Sequence, residues 1–161
     1  MLSLGIDPGT ATVGYGLVRE LNDGSLQAVD YGVITTSPAL PMPERLKLIY
    51  DGITALVERH QPDRAAVEEL LFGKNVSTAI TVAQGRGVIL LALVNAKVPT
   101  QEFKPTFIKQ SISGYGGAKK PQMQEMIRIL LTLEKIPRPD DAADALAIAI
   151  TDLHTAQFSS Y

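Results

Sequence analysis

The run Leu-Ser-Leu-Gly-Ile at 2–6 ends at the breaker Pro8-Gly9 and reads as a short strand. Apolar and polar positions then alternate over Val13 to Glu20. The Asn22-Asp23-Gly24 cluster turns the chain into a third strand at 26–36, giving a three-stranded antiparallel meander. Prolines at 38, 41 and 43 form a loop, after which Leu46, Ile49, Ile53, Leu56 and Val57 recur at helical spacing. Gln61-Pro62-Asp63 stops that helix, and residues 64–69 read as a buried fourth strand. A helix over 75–96, a fifth strand in Val-Pro-Thr-Gln-Glu-Phe, and helices over 105–111, 121–134 and 140–157 complete the pattern. Strands four and five alternate with helices, which favours parallel pairing. The expectation is an α/β fold: a mixed five-stranded sheet flanked by helices, in one domain over 1–157 with a short tail at 158–161.

Composition narrows the setting. A chain of 161 residues with 45% hydrophobic content supports one sizeable core. No uninterrupted apolar run reaches the roughly 18 residues of a membrane span; the longest, around Val88 to Val94, belongs to an amphipathic helix. The N-terminal Met-Leu-Ser-Leu-Gly-Ile-Asp lacks a basic region and a cleavage site, so no export signal is expected. Zero cysteines exclude disulfides and thiolate zinc sites, in keeping with a cytoplasmic protein without a membrane partner. His60 and His154 stand alone and read as helix-surface residues. Net charge is −2, but its distribution is uneven. Between Leu70 and Gln124 stand Lys74, Arg86, Lys97, Lys104, Lys109, Lys119 and Lys120 against one acid, Glu102, while the remainder carries a net −8. An acidic protein can therefore present a cationic face to nucleic acid.

Several acids sit where a core would exclude them. Asp144 lies within Asp-Asp-Ala-Ala-Asp-Ala-Leu-Ala-Ile-Ala-Ile-Thr at 140–151, among groups that cannot hydrogen-bond it. A buried carboxylate must be paired, protonated or metal-bound. Asp141 and Asp140, three and four residues before it, share its helix face, and Asp140 after Pro139 also suits an N-cap. Asp7 ends the first strand, where an Asx turn would equally use it. Glu68 and Glu69 end the fourth strand on opposite faces, and alternation alone leaves the choice between them open. Carboxylates from two strand ends and one helix would make an oxygen-only site suited to Mg²⁺ or Mn²⁺. Two such ions, roughly 3.5–4 Å apart, serve in-line phosphodiester hydrolysis.

Four segments carry a family resemblance. GIDPGTATVGYG at 5–16, AVEELLFGKN at 66–75, QGRG at 84–87 and DDAADALAIAIT at 140–151 resemble, in order and spacing, the motifs of RuvC-type Holliday-junction resolvases. The resemblance spans about Leu2 to His154. It implies a ribonuclease H-like fold and a magnesium-dependent homodimeric endodeoxyribonuclease of recombination and repair. Such an enzyme nicks four-way DNA junctions symmetrically, leaving 5′-phosphate and 3′-hydroxyl ends, with the RuvA–RuvB branch-migration complex as a further candidate partner. It implies Asp7, Glu68, Asp141 and Asp144 as catalytic metal ligands, and so prefers Glu68 over Glu69 and Asp141 over Asp140. It places functional lysines at Lys109 and Lys120; Lys119, Lys74 and Arg86 join them as candidate DNA contacts. Family members carry a phenylalanine where this chain has Leu71, which makes the adjacent Phe72 the candidate stacking residue and Tyr115 in the glycine-rich loop its alternative. The rival readings are an actin-like or sugar-kinase nucleotide-binding domain, a nuclease of RNA–DNA hybrids, and a non-catalytic junction-binding module. The first needs a second lobe, the second would lack the AVEELLFGKN and FIKQ motifs, and the third would have lost an acid.

Overall fold

The computed structural model describes residues 1–70 and 76–158. In chain order the elements are β1 (Leu2–Asp7), β2 (Thr12–Glu20), β3 (Leu26–Thr35), α1 (Met42–His60), β4 (Arg64–Glu68), α2 (Val76–Asn95), β5 (Thr100–Phe103), α3 (Pro105–Ser113), α4 (Lys120–Leu130) and α5 (Asp140–Phe158). The five strands form one sheet in the order β3-β2-β1-β4-β5. β1, β2 and β3 pair antiparallel, while β4 lies parallel to both β1 and β5. The mixed α/β sheet expected from the sequence is the one observed.

Residue parity along the strands assigns two helical layers. Leu2, Leu4, Ile6, Ala65 and Val67 pack with Ile49, Ile53, Ile89 and Leu93 from α1 and α2. Ala66 packs instead with Ile108, Met123, Ile127 and Leu146 from α3, α4 and α5. Strand neighbours point to opposite faces, so Ser3, Gly5 and Asp7 share the α5 side, as does Glu68, two residues beyond Ala66.

Helix α5 reaches the sheet because glycines let it in. A β-carbon at Gly5 would fall 2.1 Å from the Ala145 carbonyl oxygen, one at Gly14 2.0 Å from that of Asp141, and one at Gly16 2.7 Å from the Leu146 nitrogen. No side chain fits there, so α5 rests directly on the backbone of β1 and β2. It is apolar on every side between Ala145 and Ile150, as befits a helix covered by the sheet below and α3 and α4 above. Its sheet-facing positions run Asp141, Ala145, Ala149 and Asp152, antiparallel to Asp7, Gly5 and Ser3 on β1.

Three details differ from the expected elements. α3 continues to Ser113 because Gly114, at φ 74°, closes it in the left-handed conformation. α4 ends at Leu130 rather than Glu134, since Thr132 turns left-handed at φ 52° and Arg128 ties back to the Leu133 carbonyl. Although no apolar run is unbroken, α2 has the length and mean hydropathy, 1.5, of a membrane span. Its interruptions are uncharged except for Arg86. Its inner face of Ala79, Gly85, Ile89, Ala92 and Leu93 packs into the layer beneath the sheet.

Candidate metal and nucleic-acid site

β1 and β4 run side by side with Ile6 opposite Val67, so Asp7 and Glu68 emerge together at the same end of the sheet. The first two turns of α5 cross that end. Carboxylate oxygens of Asp7, Asp141 and Asp144 lie within 4.8 Å of one another. Glu68 faces Asp7 and Asp144 closely enough to perturb both or be perturbed by them. Among the described residues, none donates a hydrogen bond to any of the four side chains.

The crowding shows in the acidities. Burial pushes Asp7 up from its ordinary 3.8 to about 8, reinforced by the charges of Glu68, Asp144 and Asp141 and opposed by Lys120. Burial likewise raises Glu68, with Asp144 adding to the effect and Lys109 opposing it. Asp144 is raised by burial too, against the pull of Lys120. Carboxylates without donors, held together against their own repulsion, fit divalent cations through an all-oxygen donor set.

The two lysines enter from α3 and α4, in the same helical layer as α5. Lys109 on α3 and Lys120 on α4 line a cavity of about 270 Å³ with Glu68, Asp144, Pro105, Ile108, Met123 and Ala147. Lys120 is held by Asp140 at 3.0 Å, and that bond raises the lysine's pKa and lowers the aspartate's. Asp140 also receives Gln124 and Arg138. It is therefore the first helical residue with its carboxylate already engaged, rather than the expected N-cap. The cation absent within a turn of Asp144 along the chain is supplied by Lys120 across space.

The remaining candidates fall in three places. Arg86 pairs with Glu102 and points its Nε toward the Glu68 carbonyl at 3.4 Å, bracing the end of β4 beside a second cavity. Its neighbour Gly85 lets α2 abut the Pro8-Gly9 turn, where a β-carbon would meet the Gly9 carbonyl at 2.8 Å. Lys119 is the exposed N-cap of α4. Lys74 and Phe72 lie outside the described residues.

One acid escaped the sequence reading altogether. Asp152 is fully buried on α5, where Arg64 grips it with two bonds of 2.6 and 2.7 Å and Ser3 adds a third at 2.7 Å. Its signal was a polar pair, Ser3 and Asp152, on faces otherwise apolar. It belongs to the far end of the same stripe, and it is satisfied where the cluster is not.

Burial and repulsion at Asp7 have a testable sign. With divalent ions chelated, folded Asp7 keeps its proton to about pH 8 while the unfolded chain releases it near 3.8. The folded state binds more protons between those values, so this contribution is complete below the lower one and is lost as pH rises through the upper one. In EDTA, the melting temperature of Asp7→Asn should gain on the parent across this window, by on the order of 10 °C at pH 8. A gap independent of pH would mean that folding does not raise the pKa of Asp7, by burial or by repulsion.

A family model described as crossover junction endodeoxyribonuclease RuvC matches residues 3–152. The chain is 60% identical to crossover junction endodeoxyribonuclease RuvC of Chloroflexus aurantiacus over 156 residues, 97% of this chain and 94% of that protein. Among solved structures it resembles Thermus thermophilus RuvC at a TM-score of 0.92 and 35% identity, covering 99% of this chain and 97% of that one. It also resembles T. thermophilus RuvC in complex with Holliday junction substrate, at a TM-score of 0.90 and 32% identity over 98% and 96% of the two chains.

Proposed function

The chain belongs to the crossover junction endodeoxyribonuclease RuvC family, and from that premise we propose that it resolves four-way DNA junctions with paired symmetric nicks, in homologous recombination and repair. The observation that carries the assignment to particular residues is the convergence of Asp7, Asp141 and Asp144 beside Glu68, at the rim of a lysine-lined cavity. Asp7, Glu68, Asp141 and Asp144 would hold two Mg²⁺ ions, with Mn²⁺ able to substitute. When bound, such ions supply Lewis-acid stabilisation of the phosphate and acidify water.

The protein's own groups do the rest. Asp7, which the other three acids all face, would be the central ligand. Lys120, steered by Asp140, and Lys109, beside Glu68, draw a phosphate into the cavity and balance its charge. Lys119, at the N-terminus of α4, extends the cationic track. Such contacts position the backbone without reading sequence. The nucleotide-binding alternative finds no support in the family match. The decisive assay is a synthetic four-way junction incubated with protein, magnesium added or withheld, and products sized on a denaturing gel. Cleavage without magnesium, or none with it, would overturn the reading.

A junction's two-fold symmetry calls for two sites. The outer face of α2 offers a self-association surface: Val76, Ile80, Leu91 and Val94 are between 51% and 67% exposed along one helical stripe. Paired, these stripes would join two copies about a two-fold axis. Ile80→Glu with Leu91→Glu is expected to give a monomer in sedimentation, with the Asp7 cluster and fold intact. A variant that remains dimeric would place the interface elsewhere. The same reading makes the protein cytoplasmic and a candidate partner of the RuvA–RuvB branch-migration complex.

A further inference from the structure

The turn joining α3 to α4 carries Tyr115, which is 66% exposed on a backbone that is firmly fixed. Gly114 closes α3 in the left-handed conformation, its N–H donating to the Gln110 carbonyl at 2.8 Å. The Ser113 hydroxyl lies 2.8 Å from the Lys109 carbonyl and 3.0 Å from that of Tyr115, and accepts the Tyr115 N–H at 3.3 Å. Ala118 N–H then donates to the Tyr115 carbonyl at 3.1 Å. The backbone is pinned, yet the ring projects.

Glycines shape its seat. A β-carbon at Gly117 would fall 2.7 Å from the tyrosine's Cζ and Oη. Gly117 is not among the positive-φ glycines, so its bareness serves the ring rather than the backbone. A β-carbon at Gly116 would lie 3.4 Å from the Thr106 carbonyl, so the turn folds back over the first turn of α3. Pro105 of that turn is in the wall of the cavity holding Glu68 and Asp144. Between Phe103 and Gln124 there are four lysines and no acid. An exposed aromatic ring, seated in place, therefore stands on a cationic, acid-free stretch whose Pro105, Ile108, Lys109, Lys120 and Met123 line that cavity.

We propose that Tyr115 stacks on the base-pair face that a four-way junction leaves uncovered at its branch point. In continuous duplex every base pair is covered by its neighbours, and an aromatic ring has no such face to meet. The lysines favour any duplex through its phosphates, whereas this ring would favour the branch. Tyr115 is thus a specificity-determining residue for the activity proposed above, and the inference rests on that reading.

The test is binding in EDTA, by fluorescence anisotropy, to a four-way junction and to a linear duplex closed by hairpins at both ends. Tyr115→Ala should weaken junction binding about tenfold, within the range for stacking one base. It should leave duplex binding, the salt dependence and the melting temperature unchanged. Tyr115→Phe should retain parental affinity. Gly117→Ala, which displaces the ring, should weaken junction binding in the parent and add nothing to Tyr115→Ala. Equal losses on junction and duplex, or parental affinity of Tyr115→Ala for the junction, would overturn the inference alone. A parent protein that does not prefer the junction to the duplex would sink the functional reading and this inference with it.

Discussion

Asp7→Asn is expected to lower junction cleavage at least about a thousandfold, or about 4 kcal/mol of barrier, while junction binding in low salt survives. Asparagine keeps the size of the side chain and one carbonyl oxygen, so β1 and its pairing with Gly14 should stand. What it removes is the anionic oxygen at the centre of the cluster, where Glu68, Asp141 and Asp144 all bear on Asp7. Without that charge the remaining acids would hold cations more weakly, and the attacking water and leaving oxygen would lose their stabilisation. Binding depends instead on Lys109, Lys119 and Lys120, which stay in place. Glu69→Gln is the matched control. Glu69, just past the end of β4, is not in the wall of the cavity that Glu68 lines with Asp144 and the two lysines, and its replacement should leave the rate within about twofold. Magnesium-dependent cleavage by Asp7→Asn near the parental rate would refute the ligand role of Asp7, and an equal loss in Glu69→Gln would show that the assay reads general charge instead.

The contrast between Glu68 and Glu69 also shows where sequence reasoning stops. Strand ends, the meander and the parallel units were all legible, because alternation and Pro-Gly punctuation are local signals. The face a strand-end acid takes is not local. It depends on which helical layer covers Ala66 and which covers Val67, and those layers come from residues far along the chain. The same holds for Asp140. Its position after Pro139 suits a cap, but α4 brings Gln124 and Lys120 to it and redirects its carboxylate. Glycines 5, 14 and 16 read as strand residues in sequence; only the packed helix explains why nothing larger is admitted there. Boundaries failed for a similar reason. The apolar period of α4 runs on past Leu130, whereas a left-handed Thr132 ends the helix.

Arg64→Met should destabilise the fold by about 3–5 kcal/mol, roughly 10 °C in melting temperature for a chain of this size. The loss would be one of the largest obtainable outside the core. Arg64 starts β4 and holds Asp152 through both carboxylate oxygens, with Ser3 of β1 completing the set. Methionine fills much of the same volume but leaves a buried charge with one hydroxyl donor, which is costlier than losing the pair outright. Arg64→Met combined with Asp152→Leu removes both charges and should recover most of the loss, as expected when an ion pair fixes geometry more than it adds net stability. If the double variant is as unstable as the single one, packing around Asp152 rather than its charge governs this end of α5. The consequence extends to the acidic cluster. Asp152 and Asp141 lie on one sheet-facing stripe of a helix that rests on bare backbone at Gly5, Gly14 and Gly16. Where that backbone is bare, the Asp152–Arg64–Ser3 bonds tie α5 to the starts of β1 and β4. Loosening them in Arg64→Met should therefore also reduce cleavage at temperatures where the variant is still folded, although the pair lies at the opposite end of the strand from Asp7.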